Sequence, residues 1–379
     1  MNKIPFNKPF LLGKEVEYIR EAVVSGRISG DGSFTKRCHS FFQDKFSFKK
    51  CLITTSCTAA LEMAAILTEI GPGDEVIMPS YTFVSTANAF ILRGAKVVFI
   101  DSHPDCPGID ENLIEQQITN RTKAIVPVHY AGFACDMDKI MGLADKYNLF
   151  VIEDAAQAID GNYKSRPLGS IGHLSTFSFH ETKNVISGEG GMLVVNDPKF
   201  IRRAEIIWEK GTNRSAFFRG EVDKYNWVDI GSSFLPSEII AAFLLAQLEN
   251  LDIIQERRRE VWELYQSELM TGSWEKQYGL PKIPSYSSNN YHLFYMICKS
   301  QEQRSSLIKY LKAKNISAVF HYQSLHKSPY YLSKHDGREL RHADRFSDCL
   351  VRLPLYFELT KEEQRFIIDS ILEFFGLKK

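Results

Sequence analysis

Between about residue 50 and residue 195, short uninterrupted apolar runs alternate with stretches that read as helix. The runs at 51–54, 75–78, 96–100, 124–128, 149–152, 174–179 and 192–195 are the strand candidates. Several are rich in Val and Ile without the alternation of a half-exposed sheet, as befits strands covered on both faces. Between them, residues 58–67 carry Leu61, Ala64, Ala65 and Ile66, and residues 137–146 carry Met137, Ile140, Met141 and Ala144. Strand, helix, strand repetition predicts an α/β fold: a mostly parallel sheet with helices on both faces. Ligands of such sheets sit at the carboxyl ends of the strands.

The rhythm changes after about residue 235. Pro236-Ser237-Glu238 opens a long helix through Ala241, Ala242, Leu244, Leu245 and Leu248. The charged stretch 256–260 reads as a solvated helix face, and residues 272–290, rich in Ser, Pro and Tyr, read as loop. The remainder predicts a compact α+β unit with strands at 291–298 and 318–321, and Thr360-Lys361-Glu362-Glu363 fits a capping box before a last helix. The expected division is a large domain with an N-terminal arm over residues 1–250 and a smaller C-terminal α+β domain over 251–379.

Charge excludes little but steers much. Lys plus Arg (46) balances Asp plus Glu (46), so no net field draws the chain to nucleic acid or membrane. Seven scattered cysteines point to a reducing compartment rather than a disulfide framework. Met1-Asn2-Lys3-Ile4-Pro5-Phe6 lacks the apolar core of a leader, and no uncharged apolar run is as long as a membrane span. The expectation is a cytoplasmic protein. No ligand-spaced His/Cys cluster suggests a metal.

Two residues after apolar runs carry the chemistry. Asp154 follows Leu149-Phe150-Val151-Ile152-Glu153, and Lys183 closes Ser178-Phe179-His180-Glu181-Thr182-Lys183. A strand ending in a carboxylate and another ending in a lysine suit pyridoxal 5'-phosphate. The amine condenses with the cofactor aldehyde, and the carboxylate keeps the pyridine nitrogen protonated. Thr54-Thr55-Ser56-Cys57-Thr58-Ala59-Ala60 is a turn of small residues opening a helix, whose free N–H groups suit a phosphate. An ordinary N-cap on Ser56 or Thr58 would look the same. Cys57 lies at this helix start, where a thiol pKa could fall, yet it reads as a small filler. Ser178 is placed to reach the same phosphate. Gln157, one helical turn from Asp154, could donate to the ring oxygen. Phe83, with Tyr81 in reserve, could stack on the ring. His129, His180 and His321 are candidate substrate contacts, each with an equally plain reading as a satisfied histidine. Arg214 and Arg219 are candidate contacts for an anionic substrate.

These residues and their neighbours resemble a known family. Gly71-Pro72-Gly73-Asp74-Glu75-Val76-Ile77, Glu153-Asp154-Ala155-Ala156-Gln157 and the run ending at Lys183 are similar to the DegT/DnrJ/EryC1/StrS sugar aminotransferases, over nearly the whole chain. Ser29-Gly30-Asp31-Gly32, Val128-His129-Tyr130-Ala131-Gly132 and Lys210-Gly211-Thr212-Asn213-Arg214-Ser215 resemble a subgroup acting on dTDP-linked sugars. The resemblance implies a fold-type-I transferase dependent on pyridoxal 5'-phosphate. It implies Lys183 as the catalytic lysine, Asp154 at the ring nitrogen and Gln157 near the ring hydroxyl. Ser56, Cys57, Thr58 and Ser178 would hold the phosphate, and Phe83 would face the ring. It implies amination of dTDP-4-keto-6-deoxy-D-glucose by L-glutamate, giving dTDP-4-amino-4,6-dideoxy-D-galactose and 2-oxoglutarate. The gluco epimer, a 3-amino product, or a non-catalytic ligand-binding regulator are the alternatives. Members are homodimers or larger assemblies with shared active sites. Many carry an asparagine that reaches the partner's cofactor phosphate; this chain has Gly231-Ser232-Ser233 there, so Ser233 is the candidate for that contact.

Overall fold

The computed structural model describes residues 3–377; Met1 and Asn2, which open the stretch tested for a leader, lie outside the described residues. Two helices, α1 (Lys14–Val24) and α2 (Ser33–Phe46), precede the sheet. Strands β1 (Cys51–Thr54), β2 (Glu75–Pro79), β3 (Lys96–Ile100), β4 (Thr122–Ile125) and β5 (Phe150–Asp154) follow in turn. A two-residue hairpin, β6 (Asn162–Tyr163) and β7 (Arg166–Pro167), leads to β8 (Leu174–Ser178) and β9 (Gly191–Val195). The seven long strands lie in the order β1-β9-β8-β5-β4-β2-β3. Neighbours from β8 across to β3 pair in parallel, and β9 runs antiparallel to both β1 and β8.

Helices α3 (Cys57–Leu67), α4 (Val84–Ile91) and α5 (Met137–Tyr147) are the early crossovers, and α6 (Ile201–Trp208), α7 (Arg214–Phe218) and α8 (Glu238–Leu248) follow the sheet. Strand alternation sends neighbours to opposite cores. Leu52, Val76, Met78, Ala124 and Ile152 join α3, α4 and α6 in one apolar cluster. Ile53, Ile77, Ile125 and Val151 join α2, α5 and α8 in the other. The sheet is thus buried on both sides, as its Val/Ile composition requires.

Three element boundaries differ from expectation. The run 124–128 is a strand only through Ile125 (β4, Thr122–Ile125). Pro127 has no N–H for the ladder, and Val128 makes a single bridge to Asp154. The run 291–298 narrows to β10 (Tyr295–Ile297). Its partner is not 318–321, which contributes one bridge at Val319, but β11 (Leu350–Arg352). Around this short pair pack α9 (Leu251–Leu269), α10 (Gln301–Ala313), α11 (Arg341–Cys349) and α12 (Lys361–Phe374). The expected capping box is present: Glu363 N–H donates to Thr360 Oγ1 at 3.1 Å and Thr360 N–H to Glu363 Oε2 at 3.0 Å. An N-terminal arm ties back to this region, with Ile4 N–H donating to the Asn315 carbonyl at 2.9 Å.

Candidate active site

The carboxyl ends of β5 and β8 open into a cavity of about 470 Å³. Asp154, the last residue of β5, and Lys183, in the loop after β8, both line it. Asp154 is 5% exposed. Burial raises its carboxyl above the usual range, against the pull of its donors. Those donors are Thr86 Oγ1, 2.7 Å from Oδ2, and Ala156 N–H, 3.2 Å from Oδ1. Thr82 Oγ1 lies 2.8 Å from Thr86 Oγ1, so two hydroxyls stand in line behind the acid. Burial also acts on Lys183 and lowers its amine to about 8, which makes the neutral, nucleophilic form accessible near neutral pH.

At one end of the cavity is the start of α3. Ser56 caps it, its Oγ accepting from Ala59 N–H at 3.0 Å. The N-cap lies at the candidate anion site: Ser56, Cys57 and Thr58 all line the cavity, as does Ser178. Thr58 Oγ1 donates to Ser85 at 2.7 Å. The strand β9 crosses this turn so closely that a Cβ on Gly191 would fall 2.3 Å from the Cys57 nitrogen. The thiol of Cys57 does not behave as its helix position suggests, because burial pushes it up rather than down.

Phe83 precedes α4 and is 53% exposed, an unusual state for a large ring beside a cavity unless a flat ligand covers it. Tyr81, the reserve, is fully buried in the core and does not line the cavity. Gln157 lines it, though not through a helix: residues after Asp154 form turns, with Ala158 N–H donating to the Ala155 carbonyl at 2.9 Å. Ala131 N–H donates to Gln157 Oε1 at 2.7 Å, and Gln157 Nε2 donates to Tyr322 at 3.1 Å.

Of the candidate substrate contacts, His180 and His321 line the cavity. His129 does not. It has no exposure, its Nε2 lies 2.9 Å from Glu153 and its Nδ1 accepts from Cys135 N–H at 3.2 Å. It supports the strand beneath the site instead of facing substrate. Arg214 and Arg219 are not brought to this cavity either: Arg214 pairs with Glu209 at 3.4 Å, and Arg219 with Glu205 at 2.9 Å and Glu221 at 2.6 Å. Ser233 is exposed and lines no part of it. Tyr322, a neighbour of His321 that was also a candidate sugar contact, lines it too, whereas Thr86, His292 and Arg352 line it without having been picked out beforehand. Thr82 and Thr86, four apart just after a strand, and a lone arginine inside Leu350-Val351-Arg352-Leu353 were the available signals.

The donor set fits pyridoxal 5'-phosphate. A helix start with hydroxyls, a buried acid, a lysine amine of lowered basicity and an uncovered aromatic ring share one cavity. Fold and site together define a transferase of the pyridoxal-phosphate aminotransferase class, with a sheet of the type expected. The comparisons carry this further. The model of the DegT/DnrJ/EryC1/StrS aminotransferase family matches residues 11–372, and the chain belongs to that family. It is 33% identical over 385 residues to GDP-perosamine synthase of Escherichia coli O157:H7, covering 100% of each. It is 33% identical to the spore coat polysaccharide biosynthesis protein SpsC of Bacillus subtilis, covering 97% of this chain and 96% of that protein. The PLP-form structure of Spr1654 from Streptococcus pneumoniae superposes with a TM-score of 0.89 at 26% identity, covering 98% of both chains. The chain is a sugar aminotransferase with pyridoxal 5'-phosphate as cofactor.

Proposed function

We propose that this enzyme transfers the amino group of L-glutamate to a nucleotide-linked 4-keto-6-deoxy sugar, dTDP-4-keto-6-deoxy-D-glucose, giving dTDP-4-amino-4,6-dideoxy-D-galactose. The observation that carries the reading is the pairing of Lys183 and Asp154 in one buried cavity at adjacent strand ends. The bound cofactor would supply an electron sink for the carbanion at the reacting carbon. Asp154, held by Thr86, would face the ring nitrogen and keep a proton on it. The N-terminus of α3, with Ser56, Cys57, Thr58 and Ser178, would hold the phosphate. Phe83 would cover the ring, and Gln157 would sit near the ring hydroxyl. Lys183 would bind the cofactor covalently, be displaced by the amino donor, and then move the proton at the reacting carbon through Nζ as base and acid.

The amino sugar would serve in surface polysaccharide synthesis, as the name of SpsC, a spore coat polysaccharide biosynthesis protein, suggests for that protein. A GDP-linked substrate is the second reading, favoured by 33% identity over its full length to GDP-perosamine synthase. Incubation with each keto sugar and glutamate, followed by NMR of the product, separates the two. A C4 amine of galacto configuration on dTDP is the expected result; a GDP product, a gluco epimer or a C3 amine would replace it.

An assembly with shared sites is part of the proposal. Phe218, Tyr225 and Trp227 are 61%, 53% and 83% exposed on the segment that carries Arg214 and Arg219. Such a run of uncovered aromatic surface supports contact with a second copy, whose cavity Ser233, Arg214 and Arg219 would then approach.

A further inference from the structure

Beside Lys183 a buried polar network holds one wall of the cavity. Asn184, the next residue, is buried, and hydrogen bonds fix which way its amide points. Nδ2 donates to the Asn290 carbonyl and to Gln255 Oε1, both at 2.8 Å. A backbone carbonyl can only accept, so the amide oxygen is the atom left for the His292 ring. Asn184 Oδ1 lies 2.7 Å from His292 Nδ1. Burial keeps this ring well below its ordinary range and so neutral. An amide oxygen cannot donate, so the ring hydrogen is on Nδ1 and a lone pair is left on Nε2. His292 is 3% exposed and lines the cavity. Its N–H donates to Asn290 Oδ1 at 3.2 Å and its carbonyl accepts from Arg258, so the ring edge is what faces inward. Among the described residues Nε2 has no hydrogen-bond partner, yet it is not one of the sealed polar atoms, so it opens to the cavity. Lys183 Nζ makes no hydrogen bond or ion pair to the described residues either. The cavity thus holds an acceptor without a donor and a donor without an acceptor, joined through Asn184.

We infer that His292 is a positioning residue that acts through Lys183: its Nε2 accepts a hydrogen bond from Lys183 Nζ whenever that amine is free. A lysine amine sits on a flexible four-carbon stem. Once displaced, it must stay at the reacting carbon to move the proton there. A carboxylate beside it would fix the ammonium form and remove the base. A neutral imidazole of fixed tautomer holds the amine and still lets it lose and regain a proton. The contrast with His129 separates this role from that of a core histidine. His129 uses both ring nitrogens on protein partners, whereas His292 uses one. The backbone that presents the ring is itself held, since Arg258 of α9 donates to the carbonyls of Tyr291 and His292.

The inference rests on Lys183 being the cofactor-binding amine, as proposed above, and apo-protein tests the two apart. Nitrogen NMR of apo-protein carrying isotope-labelled histidine should show a ring with hydrogen on Nδ1 and none on Nε2. Its Nε2 signal should move with a midpoint near 8, as Lys183 loses its proton, and Lys183→Met should abolish that step. Brief acetylation with acetic anhydride, read at Lys183 by peptide mass spectrometry, gives the midpoint of the amine itself. H292F removes an acceptor that favours the charged form, so this midpoint should fall by about one pH unit. H292Q, whose amide oxygen can accept, should stay near wild type. The other charged or titratable groups around the pair remain in both variants: Cys57, Asp154, Arg258, His321 and Arg352. In the holoenzyme H292F should lower kcat on the order of tenfold, with KM for both substrates little changed. A ring with its hydrogen on Nε2, or an unmoved acetylation midpoint in H292F, would overturn the inference. So would a defect in H292F confined to KM for the keto sugar, which would make His292 a sugar contact. The wild-type spectrum and Lys183→Met decide the matter if H292F does not fold. An apo-protein in which borohydride fixes no added cofactor to Lys183 would instead sink the underlying reading.

Discussion

At the scale of residues, burial sets the chemistry of the site. Lys183 should be the single side chain without which turnover stops. In Lys183→Ala the enzyme should still bind cofactor weakly, while kcat falls on the order of 10³-fold or more, measured by coupled release of 2-oxoglutarate. The amine near 8 gives a pH signature. Uptake of cofactor by the apo-protein should quicken by about tenfold per pH unit up to about pH 8 and level off above it, where an ordinary lysine would keep climbing. The sign for stability follows the same value. Between about 8 and the unperturbed 10.5 the unfolded chain holds more protons than the folded one, so apo-protein stability should rise with pH across that window. Urea midpoints of wild type and Lys183→Met at both ends of it check this. Thr86→Val removes the 2.7 Å donor to a buried acid. Asp154 should then hold its proton to higher pH, and the pH at which the cofactor band titrates should move while the melting point moves little. Asp154 and Lys183 were legible in the sequence because each follows an apolar run, although the structure ends β8 at Ser178 and carries Lys183 in the loop beyond it. Arg352 and His292 were not, since their partners, His321 and Asn184, come from distant segments.

At the scale of elements, two termini of helices make a contrast. Thr360 caps α12 far from the site, and Thr360→Ala should cost about 1 kcal/mol of stability with no change in KM. Gly191 belongs to the site through backbone alone. Gly191→Ala would drive β9 from the first turn of α3, since its Cβ would fall 2.3 Å from the Cys57 nitrogen. The expected outcome is weaker retention of cofactor on dialysis, read by absorbance, with the sheet intact by circular dichroism. Apolar composition revealed the seven long strands to within a few residues, because strands buried on both faces leave an unmistakable run. It missed the partner of β10. Leu350-Val351-Arg352 is three residues long with a charge at its end, and periodicity has nothing to count over so short a stretch. Gln157 shows the converse: its expected neighbourhood with Asp154 exists, but a turn rather than a helix provides it.

At the scale of the whole molecule, the uncovered aromatics around Trp227 forecast an assembly. Light scattering should report at least a dimer, and Trp227→Asp should shift it toward monomer and lower activity together, because Arg214, Arg219 and Ser233 would lose the partner cavity proposed for them. A protein that stays fully active as a monomer would end that expectation. The arm has a consequence of its own. Ile4 is pinned beside Asn315, and that anchoring carries Phe6 to the guanidinium of Arg352. A preparation clipped by stray protease after Asn7 would lose the buried Ile4 and the Phe6 ring over Arg352, and should melt below the intact enzyme. Batch-to-batch scatter in melting point would then report the integrity of that arm rather than of the sheet.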